Sequence, residues 1–168
     1  MNRFAIRKRA SLKTTLATLA VLALASAVVI EGCGDSGESE PDRILRIYTS
    51  QPLVGGRGGA DTLNAIRIAI EDSGSSFEGA RLEVVGLNDA APSGAFDPAL
   101  VKRNANRAAR DDSTIAYIGD FDSGATEISM PILNRAGILQ VSSASTAVQL
   151  TRPTPAEAKE LRPNGTRN

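Results

Sequence analysis

The chain has 168 residues, with 19 Lys or Arg, 19 Asp or Glu, one Cys and neither His nor Trp. The lack of His excludes Ser-His and Cys-His catalysis, and a single Cys excludes an internal disulfide and a Cys/His zinc site. A formal net charge of zero argues against a nucleic-acid-binding protein, which would carry a basic excess. The length is that of one domain of roughly 100–200 residues.

Residues 1–32 have the layout of a secretory signal peptide. A basic start that ends at Lys13 is followed by Leu16–Ile30, fifteen residues without a charge. Secretory signals carry an apolar core of about 7–15 residues, whereas a membrane-spanning helix needs about 20. The sequence therefore predicts export of the remaining chain, and a permanent membrane span is the weaker interpretation.

A lipid-attachment site is predicted at Cys33. The segment Ile30-Glu31-Gly32-Cys33 resembles a bacterial lipobox, in which the Cys carries diacylglycerol, although Glu31 stands where a small or aliphatic residue is usual. Residues 33–42 are mostly Gly, Ser and acidic residues, which predicts a flexible tether to the membrane. Ordinary cleavage at Ala25-Ser26-Ala27 is the alternative.

The remaining chain is mildly acidic. Residues 33–168 hold 14 Lys or Arg against 18 Asp or Glu, a net charge of −4. The basic residues that follow Pro98 are therefore interpreted as the solvated face of a helix and not as a nucleic-acid-binding stripe.

Residues 43–151 alternate between strand and helix patterns, which predicts an α/β fold. Four short apolar runs predict strands: Ile44–Thr49, Leu82–Leu87, Ile115–Gly119 and Ile138–Ser142. Three segments between them predict helices: Asp61–Asp72, the segment opened by Asp97-Pro98, and Ser123–Ala136. This alternation indicates an open parallel sheet of about four strands with helices on both faces. Residues 152–168 contain three Pro residues and are expected to form an irregular tail.

Polar or small residues follow every predicted strand, at the edge where open parallel sheets bind ligands. The first loop, Gly55-Gly56-Arg57-Gly58-Gly59, could cradle a phosphate, but it matches neither the P-loop nor the dinucleotide motif. A Gly-rich turn is favoured instead. Asp89 could hold a ribose, yet it lies about 30 residues beyond the glycines, where dinucleotide folds place an acid after about 20.

Asp120 and Asp122 follow the third strand and suggest a paired-carboxylate glycosidase. Alternate residues of an extended chain diverge, so the two carboxylates need not share a site. We expect a solvated loop, with one Asp capping the following helix, and no enzyme.

Two clusters of hydrogen-bonding groups follow the third and fourth strands. Ser123 lies where the third helix begins, and Ser143–Thr146 precedes a short helical stretch, Ala147–Leu150. A hydroxyl and free amides at a helix N-terminus favour a carboxylate, while the same Ser could equally be an N-cap. The spacing leaves both interpretations open.

The run YIGDFDSGATEISMPILNRAGILQVSSASTAVQLT, Tyr117–Thr151, resembles the leucine/isoleucine/valine-binding proteins. These are the solute-binding components of ATP-driven branched-chain amino-acid uptake systems. The resemblance covers roughly Ile44–Thr151 and implies one Rossmann-like lobe of a type I periplasmic binding protein. It also implies a Ser, a backbone carbonyl and a Thr that hold the ligand's α-amino and α-carboxylate groups. Here these fall on Ser123, Ala144 and Thr146, with Ser143 beside them.

Two departures from the family pattern limit this expectation. The glycine-rich first loop lacks the bulkier side chains that the family often places there, and family members are about twice as long, with a second lobe that closes on the ligand. A single lobe would bury roughly half as much of the ligand, where small-molecule sites bury 70–90%, so we expect weak or no binding by this chain alone.

The expected function is that of an exported, lipid-anchored solute-binding protein, or a fragment of one, for a branched-chain or related amino acid. Its expected partners are a small-molecule ligand, an ABC permease and the membrane through its lipid, with no cofactor and no nucleic acid. The alternatives are a nucleotide-binding Rossmann-type enzyme domain and the ligand-binding lobe of a sensor.

Overall fold

The computed structural model describes residues 43–56 and 58–165. The predicted signal peptide, tether and lipid-attachment Cys33 lie outside the described residues. The strands are β1 (Ile44–Gln51), β2 (Ser76–Phe77), β3 (Ala80–Asn88), β4 (Thr114–Ile118) and β5 (Leu139–Val141). The helices are α1 (Gly59–Asp72), α2 (Pro98–Ala109), α3 (Ser123–Ala136) and α4 (Pro155–Leu161), with a 3-10 turn at Val148–Leu150.

The strands form one sheet in the order β2-β3-β1-β4-β5. β1 pairs in parallel with β3 and β4, and β4 pairs in parallel with β5. The predicted α/β class with its four parallel strands is confirmed. The short strand β2 was not predicted; it folds back antiparallel onto β3 through a turn in which Glu78 and Gly79 have positive φ of 48° and 76°. Two residues are too short a run to show a strand periodicity.

Helices cover both faces of the sheet, as predicted. Tyr48 and Tyr117 are paired in register and lie on the face packed by α2 and α3. Four further buried residues complete this core: Ala105, Ala108, Leu133 and Ile138. Side chains alternate along a strand, so the residues next to these tyrosines in β1 and β4 face the opposite side of the sheet, which α1 covers. On that side, a Cβ on Gly86 would lie 2.8 Å from Leu63 Cδ2. Gly86 thus allows α1 to pack directly on β3.

Local signals set the helix boundaries. The Asp97 carboxylate accepts hydrogen bonds from the amides of Ala99 and Leu100 at 2.7 and 3.3 Å, so the predicted cap of α2 is confirmed. Helix α3 begins at Ser123 and ends before Gly137, whose φ of 71° suits a C-terminal glycine.

The expectation of an irregular tail is wrong for residues 155–161, which form helix α4. Pro155 occupies the first turn of this helix, where its missing N–H costs nothing. Thr154 and Glu157 form a capping box in which each side chain bonds to the other's backbone N–H. The three Pro residues predict an irregular tail, but one of them stands where a Pro starts a helix.

No helix within residues 43–56 and 58–165 is long and apolar enough to cross a membrane.

We expect Leu133→Ala to lower the free energy of unfolding by about 2–5 kcal/mol, because Leu133 is fully buried and the change leaves a cavity. The matched change Leu139→Ala, at a residue with 52% exposure, should cost less than about 0.5 kcal/mol. Urea unfolding followed by circular dichroism measures both. Equal losses would contradict the position of the core.

Candidate functional site

The carboxyl ends of four parallel strands meet at one edge of the sheet, which we call the carboxyl edge. It carries the loops at residues 52–56 with 58, 89–97, 119–122 and 142–147. Open α/β sheets bind ligands outside this edge, and the polar residues singled out in the sequence lie in these loops. The last of them, residues 142–147, is called the site loop below.

Ser123 joins the start of α3 to the site loop. Its Oγ accepts hydrogen bonds from the amides of Thr146 at 3.1 Å and Ala147 at 3.2 Å. The structure therefore brings the two predicted clusters together. Ser123 is the first residue of α3 and not its N-cap, a position that Asp122 holds without a capping side-chain hydrogen bond.

Three hydroxyl groups anchor the site loop to the backbone carbonyl of Asp120. Ser142 Oγ donates to this oxygen at 2.6 Å, and Ser145 Oγ and Thr126 Oγ1 each lie 3.3 Å from it. These two hydroxyls are 2.7 Å apart, so one of them donates to the other and the second is free to donate to the carbonyl. Ser142 Oγ also accepts from the Ser145 amide at 3.0 Å. The end of β4, the first turn of α3 and the site loop therefore meet at one backbone atom.

The other two predicted ligand residues lie within the same loop. Ser143 is exposed, and Ala144 is half-buried with its amide 3.4 Å from Ser142 Oγ. Of the predicted residues, Thr146 thus contacts Ser123 at the N-terminus of α3, and Ser143 and Ala144 lie in the same loop.

The expectation of a solvated loop is wrong for Asp120, which is fully buried. The Tyr117 hydroxyl donates to its Oδ1 at 3.1 Å. Burial raises the pKa of the Asp120 carboxyl. Gly119 allows the backbone just before Asp120 to pass close to β1, because a Cβ on this residue would lie 2.5 Å from the Ser50 carbonyl oxygen.

Asp89 is also buried, with 1% exposure. Ser50 Oγ donates to its Oδ2 at 3.3 Å. Burial, followed by the charge of Asp120, raises the pKa of Asp89 to about 7. A buried carboxyl does not face a cleft in which it could hold a ribose, so the geometry disfavours the nucleotide-binding interpretation of this residue.

The glycine-rich loop turns sharply. Gly55, Gly56 and Gly58 have positive φ of 79°, 67° and 79°, and Arg57 lies outside the described residues. A Cβ on Gly55 would lie 2.3 Å from Gly94 Cα, so the loop packs directly against the loop that follows β3.

Sequence reasoning missed a buried polar network below the carboxyl edge. Gln51 Nε2 donates to the Ile118 carbonyl at 3.2 Å, which ties β1 to β4. Asn104 Nδ2 donates to Ser50 Oγ at 3.1 Å and to the Asn88 carbonyl at 3.0 Å. Asn104 is a polar residue on the otherwise apolar stripe of α2. This mismatch is the sequence signal that could have predicted a buried polar network.

No group of three or more His, Cys, Asp or Glu side chains suited to a metal ion occurs in the part of the chain that the structure describes.

Comparison with known proteins gives matches among solved structures. No family model matches the chain, and no curated protein matches it. The leucine-binding protein LivK of Thermotoga maritima is 26% identical with a TM-score of 0.53, covering 61% of this chain and 28% of that one. The substrate-binding protein LivJ of Streptococcus pneumoniae, a branched-chain amino-acid transporter component solved with isoleucine, is 18% identical with a TM-score of 0.54, covering 63% and 30%. An ABC-transporter solute-binding protein of Rhodopseudomonas palustris, solved with 3,4-dihydroxybenzoic acid, is 23% identical with a TM-score of 0.56, covering 67% and 30%.

These matches confirm the resemblance that the sequence suggested. Solved substrate-binding proteins for branched-chain amino acids share the fold of this chain, and the chain spans less than a third of their length. The expected type I periplasmic binding fold is therefore the fold observed.

We expect Ser123→Ala to release the site loop from α3. The change removes the acceptor of two amide hydrogen bonds, and each such bond contributes about 0.5–1.5 kcal/mol. Amide hydrogen exchange at Thr146 and Ala147 should become faster by about tenfold, as measured by NMR. Ser143→Ala, at an exposed residue of the same loop, is the control and should leave both rates unchanged. Unchanged rates in Ser123→Ala would show that this hydroxyl does not hold the loop.

Proposed function

We propose that the chain binds the α-carboxylate and α-ammonium groups of a branched-chain or related amino acid at the carboxyl edge. The carboxylate would lie at Ser123 and the first-turn amides of α3, and the ammonium at the Ala144 carbonyl and the Thr146 hydroxyl, with Ser143 at the rim. The observation that carries the proposal is the contact of Ser123 Oγ with the amides of Thr146 and Ala147.

The hydrogen bonding of Ser123 supports a carboxylate as its ligand. A hydroxyl has one proton to donate and two lone pairs that accept, and both acceptor positions of Ser123 Oγ are taken by the site loop. Its proton therefore remains for a partner outside the loop. The first N–H groups of α3 have no acceptor within the helix, and the helix dipole adds a partial positive charge there.

The site loop supplies what an ammonium group needs. Carbonyl and hydroxyl oxygens accept charge-assisted hydrogen bonds, and the Ala144 carbonyl and Thr146 hydroxyl stand within three residues of each other in a loop already fixed to α3. An α-amino acid carries its ammonium and carboxylate groups on the same carbon, so a small surface with donors at one end and acceptors at the other would suit it.

We further propose that the chain is an extracytoplasmic component of an ABC uptake system that binds and does not catalyse. Residues 1–32 would direct export, Cys33 would carry the lipid, and the loaded protein would deliver its ligand to a permease. The support is the fold shared with ABC-transporter substrate-binding proteins together with the signal-like and lipobox-like sequence.

Titration of the 15N-labelled chain with leucine, isoleucine and valine tests the ligand proposal. We expect shifts of the amide resonances of Ser123, Thr146 and Ala147 with at least one amino acid. Leucinamide, which lacks the carboxylate, and 4-methylpentanoate, which lacks the ammonium, should each bind at least tenfold more weakly, since a hydrogen bond to a charged group contributes about 1.5–3 kcal/mol.

Ser123→Ala should weaken binding by at least about tenfold for the same reason. Ser76→Ala, at an exposed residue of the edge strand β2, should leave the affinity unchanged. Equal binding of leucine and 4-methylpentanoate, or full affinity in Ser123→Ala, would refute the assigned contacts.

The lipid anchor has its own test. In a bacterial host that processes lipoproteins, Cys33→Ser should abolish incorporation of labelled palmitate and move the protein from the membrane fraction to the soluble fraction, because two or more acyl chains are needed for stable anchoring. Ser36→Ala is the matched control. A product that starts at residue 28 and is unaffected by Cys33→Ser would favour ordinary cleavage.

A further inference from the structure

Two carboxyl groups lie buried at the carboxyl edge of the sheet. Asp89 follows β3 and Asp120 follows β4, and their exposures are 1% and 0%. Strand β1 lies between β3 and β4, and its Ser50 donates to Asp89 at 3.3 Å. The two carboxyls thus flank the end of the same central strand.

Each carboxyl has one oxygen without a hydrogen-bond donor among the described residues, Asp89 Oδ1 and Asp120 Oδ2. A buried ionised carboxylate needs donors to replace its lost hydration, and an unpaired oxygen makes the charged form costly. The neutral acid lowers that cost, because the negative charge is gone and one oxygen carries a proton.

Within residues 43–56 and 58–165, the groups that most affect the pKa of the two carboxyls include no positive charge. The neighbouring strands, helices and site loop contribute uncharged groups: Ser50, Asn104, Thr126, Ser129 and Ser142. The titratable groups nearby are the Tyr117 phenol, Asp122 and Asp97, whose amide donates to the Asp89 carbonyl at 2.7 Å. None of the three carries a positive charge, so none of them would offset the charge of an ionised Asp89 and Asp120.

We propose that Asp89 and Asp120 together retain a proton in the folded chain near neutral pH, and that losing this proton loosens the carboxyl edge on which the site loop rests. The coupling to the loop runs through Asp120, whose carbonyl accepts a hydrogen bond from Ser142 Oγ at 2.6 Å and lies 3.3 Å from the linked hydroxyls of Ser145 and Thr126. A charge on the Asp120 side chain draws in water or displaces the residue, and either change moves the oxygen that anchors the loop.

The sign of the pH effect follows from the direction of the pKa shifts. Burial raises the pKa of both carboxyls in the folded state, that of Asp89 to about 7, whereas an unfolded Asp titrates near 3.9. Between these values the folded chain binds more protons than the unfolded chain. The stabilisation is therefore fully present below about pH 4 and is lost as the pH rises towards about 7.

Thermal unfolding of the full chain without ligand tests the proposal. We expect the Tm to fall by several degrees between about pH 5 and about pH 8. Asp89→Asn removes the titrating group and keeps its shape, so the variant should have a flatter profile and a higher Tm than the unchanged chain at about pH 8. Asp72→Asn, at an exposed residue at the end of α1, should keep the original slope. A flat profile for the unchanged chain would overturn the proposal.

An NMR titration of the unchanged chain decides the matter even where Asp89→Asn does not fold. With 13C-labelled Asp, at least one of the two carboxyl carbons should titrate near neutral pH, and the amides of Ser145 and Thr146 should shift with the same midpoint. Titration of both carboxyls below about pH 5 would overturn the retained proton. Loop amides that do not follow a neutral titration would overturn the coupling to the loop. Neither measurement involves an amino-acid ligand, so this inference and the proposed function stand or fall separately.

Discussion

The carbonyl oxygen of Asp120 is the atom on which the arrangement of the carboxyl edge depends. It lies one residue beyond the close contact of Gly119 with the Ser50 backbone, so its position is fixed by the pairing of β4 with β1. Hydroxyls from α3 and the site loop converge on it. The site loop has little buried apolar surface of its own, so these hydrogen bonds to the end of the sheet hold its conformation.

Ser123 extends this arrangement outward. Because the site loop is fixed at Ser142 and Ser145, the amides of Thr146 and Ala147 reach the start of α3 and take the acceptor positions of Ser123 Oγ. A hydroxyl that must accept twice is restricted in where its proton can point. Such an orientation is set before any ligand arrives, and an interaction that needs no reordering on binding loses less entropy.

The sequence predicted those features that local rules determine. The start of α2 at Asp97-Pro98 follows from capping and φ preferences, which depend on a few neighbouring residues. The same rules applied at Pro155 would have predicted α4, since Thr154 and Glu157 have the capping-box spacing. The expectation of an irregular tail rested on the number of Pro residues and did not use this spacing.

Burial of polar side chains could not be predicted in this way. Asp120 and Asp122 differ by two positions and look alike in the sequence, yet Asp120 is enclosed by the sheet, α3 and the site loop. That enclosure depends on contacts between residues far apart in the chain, such as Gly119 with Ser50 and Asp120 with Ser142. The assignment of Ser123, Ala144 and Thr146 to a ligand came from a family resemblance, and the structure supports it only by their proximity.

The two tyrosines of the core show how the surroundings decide the state of an acid. Tyr48 and Tyr117 are paired in register, and each phenol donates to an aspartate, Tyr48 to Asp111 at 2.7 Å and Tyr117 to Asp120 at 3.1 Å. The amino ends of the parallel strands form the other end of the sheet, which we call the amino edge. There, hydrogen bonds from Ser113 and Tyr48 lower the pKa of Asp111, and Arg46 adds an ion pair at 3.2 Å.

At the carboxyl edge the same tyrosine–aspartate contact is buried without a basic partner among the described residues. Burial outweighs the hydrogen bonds there and raises the pKa of Asp120. An arginine at this edge would stabilise the ionised form, but it would also place a permanent charge beside the groups proposed to receive a zwitterion. A neutral acid avoids that charge and leaves the helix dipole and Ser123 as the donors that a carboxylate would meet. The placement of the charged pairs at one edge and the uncharged network at the other is thus consistent with a sheet that is stabilised at its amino edge and binds at its carboxyl edge.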